Sequence, residues 1–396
     1  MARMERFDVL VVGAGPAGST AAYRLAREGA SVLLADRARF PRDKPCGGGL
    51  TMRAVRLLPF PVDPVVEDRA SIVEFGRDFG SHFERRTAEP LVLMTQRKRL
   101  DAFLAEQAAT AGADFRDGAK VTDLELTDNG VEARINGEKV AANAALCADG
   151  VNGVGARAAG LDDGRDYGVA LEANVPYSVV SRERYQGRLC LELANVPGGY
   201  GWVFPKGDHV NVGVGGWERE GPRMREHLAR FCREYSIPES SLEDIRGYRL
   251  PLLHARARLA KGRLALLGDA AGLVDPLSGD GIYEAFLSAK LAAAETIDLL
   301  AGAKSDLASY DRELKQALSS QLAAAWGAKV ALDRFPRLTY AVVRTPYLWK
   351  AVVSLIGGEV PSPNRMRGLR RVSMRMVEAL GRAAGDPGKR YRAVQT

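Results

Sequence analysis

Four clusters of residues in this chain have the types and spacing that chemistry requires. Gly13-Ala-Gly15-Pro16-Ala17-Gly18 has the spacing of a turn that lets backbone N–H groups close on a pyrophosphate. Lys44-Pro45-Cys46-Gly47-Gly48-Gly49 sets a thiol and an ammonium in a loop that glycine leaves open. Tyr200-Gly-Trp202-Val-Phe204-Pro205 puts three aromatic residues at alternate positions, so that on a strand they share one face. Gly268-Asp269 and Gly279-Asp280-Gly281-Ile282 place carboxylates among glycines just before a long helical stretch.

The elements around the first cluster give it meaning. Asp8–Val12 reads as a buried parallel strand, Ser19–Glu28 as a helix closed by Gly29, and Ser31–Ala35 as a second strand ending at Asp36. Gly13 allows the tight turn, Gly15 the approach to phosphate, and Gly18 the close packing of helix on strand. The helix N-terminus offers unpaired N–H groups and a positive dipole end. Asp36, 18 residues beyond Gly18, stands where a carboxylate accepts ribose hydroxyls, and its charge disfavours a 2′-phosphate. This much fits FAD and NAD equally.

Composition narrows the class. With 396 residues and 46% hydrophobic content the chain can bury a large core of two to three domains. Cys46, Cys147, Cys190 and Cys232 form no CxxC pair and no zinc-like spacing with the four histidines, so reduced thiols and no metal are expected. The net charge is +7, and the segment Arg365–Thr396, with nine Lys/Arg against Glu378 and Asp386, carries all of it. Such a tail either attracts anionic headgroups, a diphosphate or nucleic acid, or is a solvated end; no nucleic-acid partner is expected. The N-terminus lacks a signal-peptide pattern and no apolar run is long enough to span a bilayer. The expected location is cytoplasmic or on the inner membrane surface.

Three further segments decide between the cofactors by resemblance. Leu264–Ile282 is similar to the second FAD fingerprint of the para-hydroxybenzoate hydroxylase-like flavoproteins, Leu146–Arg157 to their Asp-Gly motif, and Arg97-Lys-Arg-Leu-Asp101 to their arginine segment. The resemblance implies FAD, with Asp269 on the ribityl chain, Arg97 beside the cofactor, and the helix N-terminus at Gly281 and Ile282 near the flavin ring. The implied FAD contacts are Gly13, Gly15, Pro16, Ala17, Gly18, Asp36, Arg37, Cys46, Gly47, Gly48, Arg97, Val121, Asp149, Gly150, Asp269, Pro276, Gly279, Gly281 and Ile282.

The Phe40–Thr51 segment resembles the Lys-Pro-Cys-Gly-Gly loop of geranylgeranyl reductases, which saturate isoprenoid double bonds. Tyr200–Pro205 followed by Gly213-Val-Gly215 fits the same family's substrate motif. The implied substrate residues are Tyr200, Trp202, Phe204, Pro205, Gly213 and Gly215; the implied catalytic ones are Cys46, Gly48, Tyr200 and Trp202. An isolated alkene is a poor hydride acceptor, so cationic character at its tertiary carbon should accompany hydride delivery, and the Trp202 face can stabilise it. Cys46 either helps deliver the proton or shapes the pocket, and Lys44 either contacts a diphosphate or is solvated. An isoprenoid or prenylated lipid and an external electron donor, NADPH or a ferredoxin-like carrier, are the expected partners, with peripheral membrane contact. A flavin monooxygenase or halogenase, and a non-catalytic prenyl-lipid-binding flavoprotein, are the alternatives.

The expected fold is mixed α/β: a Rossmann-type FAD-binding domain from residues 1–60, 90–165 and 255–310, an inserted antiparallel-sheet substrate domain from 61–89 and 166–254, and a helical C-terminal region, 311–396, with the basic tail. Strands are expected at Ser71–Arg77, Gly80–Glu84, Tyr167–Asn174, Gly187–Leu193, Gly201–Pro205 and His209–Gly215, and helices at Ala102–Ala111, Arg223–Tyr235, Ala289–Leu300 and Asp306–Leu332. Phe335–Ile356 reads as a helical lid, a tunnel closure or a bilayer-surface segment.

Overall fold

The computed structural model describes residues 4–161, 166–252, 257–360 and 363–383. Asp386, Lys389, Arg390 and Arg392 of the basic tail lie outside these, as do the boundaries expected near residues 165 and 254.

The strand Glu5–Val12 is the middle of the first sheet. It pairs in parallel with Val32–Ala35 on one side and Glu138–Cys147 on the other, and Asp114–Arg116 and Leu264–Leu266 extend the parallel run outward. Val9–Val12, Leu33, Leu34 and Ala144–Cys147 are buried on both faces, which is why these strands read as unbroken apolar runs. A hairpin, Val121–Thr127 and Gly130–Ile135, is added antiparallel to Glu138–Cys147.

The helix after the first strand runs Pro16–Arg27 rather than from Ser19. Gly15 is its N-cap and Pro16 its first residue, a position where the missing N–H costs nothing. The dipole end therefore opens directly onto the glycine turn. Its buried face of small residues (Ala17, Gly18, Ala21, Ala22) packs against the long helix Ile282–Leu300 and the helix Arg97–Thr110. That last helix also starts earlier than Ala102, because Arg97 and Asp101 form an i,i+4 ion pair across its first turn.

The second sheet has seven strands in the order Glu243–Leu252, Asp166–Pro176, His209–Trp217, Tyr200–Pro205, Arg188–Leu193, Ile72–Arg77 and Ser81–Arg86. It is not wholly antiparallel: Arg188–Leu193 and Ile72–Arg77 run parallel. Those two strands come from distant segments, so no hairpin dictates their direction. One face, with Leu171, Ala173, Val175, Val203, Val210, Val212 and Val214, packs on the helix Met224–Glu234 through Leu228, Phe231 and Cys232. The other face looks toward the first sheet. A three-stranded sheet of Gly49–Thr51, Val92–Met94 and Asp68–Ala70 ties together segments that the sequence assigns to both domains.

The C-terminal region is helical: Ala308–Arg334, Pro336–Val343, Pro346–Ile356 and Gly368–Ala383. The single segment expected over Phe335–Ile356 is two helices, divided before Pro346, which has no N–H to continue the first. Trp349, Val353 and Ile356 pack, with Phe75, Leu191 and Phe204 of the second sheet, on one buried cluster around Val73, Val92 and Leu189, and Trp349 meets the Phe75 ring edge-on. Phe335, Leu338, Tyr347, Leu369, Val372 and Met376 are exposed. Among the described residues no helix is long and apolar enough to cross a membrane.

Candidate functional site

A cavity of about 880 Å³ lies between the two large sheets, lined by residues of both. At one end the glycine turn is forced by contact. A Cβ on Gly18 would stand 1.8 Å from Gly13 O, and one on Gly13, at φ +96°, 2.5 Å from Ala148 O. Gly18 packs the turn without reaching the wall; Gly13, Gly15, Pro16 and Ala17 line it. Asp36 closes the turn through both carboxylate oxygens, accepting Ala14 N–H and Ala38 N–H at 2.8 Å each. It keeps lone pairs on the cavity side, where Arg37 and Val121 also lie.

Two guanidinium groups stand over Gly15. A Cβ there would be 3.4 Å from Arg42 Nη2 and 3.9 Å from Arg97 Nη2. Arg97 grips Asp101 with two bonds of 2.7 Å, and Arg42 Nη1 reaches the same buried carboxylate at 2.8 Å. Burial works against the charge on Arg97, but Asp101 outweighs it and holds the guanidinium protonated. Both guanidinium groups stand beside a helix N-terminus, where they can meet a pyrophosphate, and Arg42 Nη2 also lies 3.9 Å from Asp36 Oδ2. Arg42 was not singled out from the sequence, although it sits inside the Phe40–Thr51 segment.

Further along, Asp149 and Gly150 line the wall. Asp149 Oδ2 accepts Val154 and Gly155 N–H at 2.6 and 3.0 Å, while its buried Oδ1 has no hydrogen-bond partner among the described residues. Asp269 also lines the cavity, but it is paired with Lys44 Nζ at 2.6 Å and accepts Tyr248 O–H at 2.9 Å. Burial raises the Asp269 carboxyl, yet the Lys44 charge outweighs it and holds the group below its usual range. Lys44 is thus the counterion of Asp269, partly exposed on the cavity wall. Pro276, Gly279, Gly281 and Ile282 complete this side, with Asp280 Oδ1 accepting Ile282 N–H at 2.9 Å. The glycine cradle, the paired arginines and the unpartnered Asp149 oxygen fit FAD.

The opposite wall is the second sheet's inner face. Tyr200, Trp202 and Phe204 do share a side, with adjacent ring centroids 6.0 and 6.1 Å apart. Trp202 Nε1 donates to Asn211 at 2.8 Å, which fixes the ring, and Tyr200 O–H donates to Ser278 O on the Asp275–Ser278 turn. Gly213 lies directly opposite Trp202, and a Cβ there would be 2.2 Å from the indole. Gly213 therefore makes room for Trp202 rather than reaching the cavity; Pro205 is buried off the wall as well, whereas Gly215 lines it.

The Cys46–Gly48 loop meets this wall. A Cβ on Gly47 would be 2.8 Å from the Phe204 ring, and one on Gly48, at φ +67°, 2.0 Å from Thr95 O and 2.3 Å from Lys206 Nζ. Gly48 N–H points at Cys46 Sγ, 3.4 Å away. Two ionisable residues that the sequence reading passed over hold the loop. Lys206, buried, donates to Gly47 O and, at 2.9 Å, to Thr95 O; burial pushes its ammonium down to about 8. Glu172 accepts Cys46 N–H at 2.8 Å, and burial pushes its carboxyl up to about 6. The signal for Glu172 was a charge in mid-strand at alternate spacing; for Lys206, its place directly after Pro205. At the far end Lys329 donates to Gly198 O and lies over the Trp217 ring, and burial pushes it down to about 8.

Residues 6–323 match the model of the FAD binding domain family. The chain is similar to geranylgeranyl diphosphate reductase of tobacco chloroplasts, 30% identical with 73% of this chain and 66% of that one covered. It is 33% identical to digeranylgeranylglycerophospholipid reductase 2 of Methanothermobacter thermautotrophicus (74% and 79% covered) and to menaquinone reductase of Mycolicibacterium smegmatis (73% and 76%). A geranylgeranyl bacteriochlorophyll reductase-like structure from Thermoplasma acidophilum shares the fold at a TM-score of 0.80 and 23% identity, covering 95% of this chain and 96% of that one. A flavin-dependent brominase shares it at 0.75 and 18%, over 96% and 100%.

Proposed function

Because the chain belongs to the geranylgeranyl reductase family of FAD-dependent oxidoreductases, we propose that it saturates carbon–carbon double bonds of an isoprenoid chain. The observation that carries this reading is the junction within one cavity: the Cys46–Gly48 loop and the Tyr200–Trp202–Phe204 wall meet at the end of the dinucleotide cradle. FAD, once reduced by an external donor such as NADPH or a ferredoxin-like carrier, supplies the hydride. The protein's own residues do the rest. Gly13–Ala17, Arg42 and Arg97 would hold the diphosphate, and Asp36 and Asp149 would accept hydroxyls. The aromatic wall binds the apolar chain, and its rings order little freedom on doing so. Trp202, fixed by Asn211, presents a π face to cationic character at the tertiary carbon. Cys46 and Gly48 shape the loop, since the thiol accepts Gly48 N–H and a side chain at 48 would collide with Thr95 and Lys206.

The exposed Phe335, Leu338, Tyr347, Leu369, Val372 and Met376 alternate with Arg337, Arg344, Lys350, Arg367, Arg371 and Arg375. Exposed apolar side chains interspersed with cations suit the surface of an anionic bilayer, from which a prenylated lipid would be drawn.

The test is anaerobic. Dithionite-reduced holoprotein is mixed with geranylgeranyl diphosphate, or with prenylated menaquinone in neutral and in anionic vesicles, and flavin reoxidation is followed with product mass. Reoxidation with a gain of two mass units per double bond is expected, faster from anionic vesicles. Equal rates from both vesicles would remove the membrane contact. A flavin that stays reduced with every prenyl substrate, but yields hydroxylated or halogenated product with oxygen, would replace the reductase with the chemistry of the brominase fold.

A further inference from the structure

Alkene reduction needs a proton as well as a hydride, and the inner face of the second sheet carries a carboxyl group in the right company. Residues opposite one another across the strands point to the same face. Arg246, Glu172, Gly213, Trp202 and Leu191 form one such rung, each directly opposite the next. Gly213, opposite Glu172, has no side chain, and the Trp202 ring fills the space that one would take. The register between Asp166–Pro176 and Glu243–Leu252 shifts between Glu172 and Asn174, a bulge of the kind that re-aims a side chain beside an active site. Glu172 lines the cavity, and its Oε1 is pinned by Cys46 N–H. Among the described residues no hydrogen bond engages Oε2.

We propose that Glu172 is the acid that protonates the substrate double bond. The proposal rests on the alkene-reductase reading. The Glu172 O–H bond breaks as a C–H bond forms at the less substituted alkene carbon, so that positive charge develops at the tertiary carbon, facing Trp202. That carbon then gains a hydride, whose two electrons come from the reduced flavin, left oxidised. The Glu172 carboxylate recovers its proton from water.

The surroundings keep this carboxyl protonated into the working range. Burial raises it to about 6, against the pull of Cys46 N–H and of Lys206, while Asp43 adds to the rise and Arg246 opposes it. Arg246 is itself occupied, bonded to Asp43 at 2.6 Å and to Asp244 at 3.2 Å. Lys206 spends its hydrogen bonds on Gly47 O and Thr95 O. Among the described residues no cation forms an ion pair with Glu172, as one would with a carboxylate meant to stay ionised.

The experiment follows single-turnover reoxidation of reduced holoprotein by geranylgeranyl diphosphate from pH 5 to 9. The wild-type rate should fall as pH rises through about 6, because the protonated form is the active one. Glu172→Gln should lose about 100-fold, the lower end of what a positioned acid contributes, and its residual rate should not vary across that range. Cys46→Ala should keep the wild-type inflection, since the carboxyl remains. Apart from turnover, the wild type at pH 5 should show a protonated-carboxyl infrared band that Glu172→Gln lacks, with FAD affinity unchanged within about twofold. Turnover by Glu172→Gln within about threefold of wild type, or an inflection that survives Glu172→Gln and vanishes in Cys46→Ala, overturns the assignment while leaving the reductase standing. Wild-type protein that reduces no prenyl substrate overturns the reading of function, and this proposal with it.

Discussion

Around Gly15 the cavity wall is backbone amide and guanidinium, whereas around Trp202 it is ring carbon with one carboxyl. The first region achieves its fit by leaving side chains out: Gly13 and Gly18 would each place a Cβ inside the van der Waals shell of a neighbouring carbonyl. The second achieves it by filling one residue's space with another's, as Trp202 occupies the room above Gly213. Rigid backbone cannot yield, so the dinucleotide end should tolerate almost no change. Side chains can shift by a rotamer, so the aromatic end should trade substrate preference before it loses function.

The sharpest way to break that contrast is Gly18→Ala. Its Cβ would meet Gly13 O at 1.8 Å, and overpacking of about 3 kcal/mol corresponds to roughly a 100-fold loss of FAD affinity. A flavin fluorescence titration measures it, and affinity within about threefold of wild type would show that the turn can relax after all. Gly213→Ala probes the other region. FAD affinity should hold within about twofold while kcat/KM for a prenyl substrate drops about tenfold, since an indole tied to Asn211 must tilt. Parallel losses in both quantities would mean that the two regions are one mechanical unit. The smallest effect concerns stability. The Glu172 carboxyl is raised in the folded chain to about 6 from its ordinary 4.5, so the folded state holds this proton longer than the unfolded one. Its stabilising effect is complete below pH 4.5 and is lost as pH rises through 6, at a cost of about 2 kcal/mol. Glu172→Gln should match wild type in urea unfolding at pH 4.5 and exceed it by about 1–2 kcal/mol at pH 7.5. An equal difference at both pH values would remove burial as the cause.

The residues that local rules govern were readable along the chain. A strand, a glycine turn with Pro16 at the helix start, a second strand and an acid follow from short-range sterics, and each motif that resembles an FAD fingerprint lies along the same cavity. The alternation Tyr200, Trp202, Phe204 gave their common face for the same reason, because a strand has period two. Reading failed where a residue's role depends on what lies across from it. Pro205 and Gly213 belong to the substrate motif without touching the cavity. Lys44 pairs with Asp269, 225 residues away, a partner that nothing near it in the chain announces.

Chain order alone determined that a dinucleotide turn, a thiol loop and an aromatic strand exist, since each is set by neighbours within a few residues. Which of them meet, and what charge they meet beside, only the tertiary structure decided. Arg42 and Arg97 share Asp101 because two separate segments are brought over one glycine turn. Glu172 stands in the row of Trp202 because strand register, fixed by hydrogen bonds between distant segments, puts it there. Its acidity depends on burial, and burial is a property of the assembled core that no local pattern of residues contains.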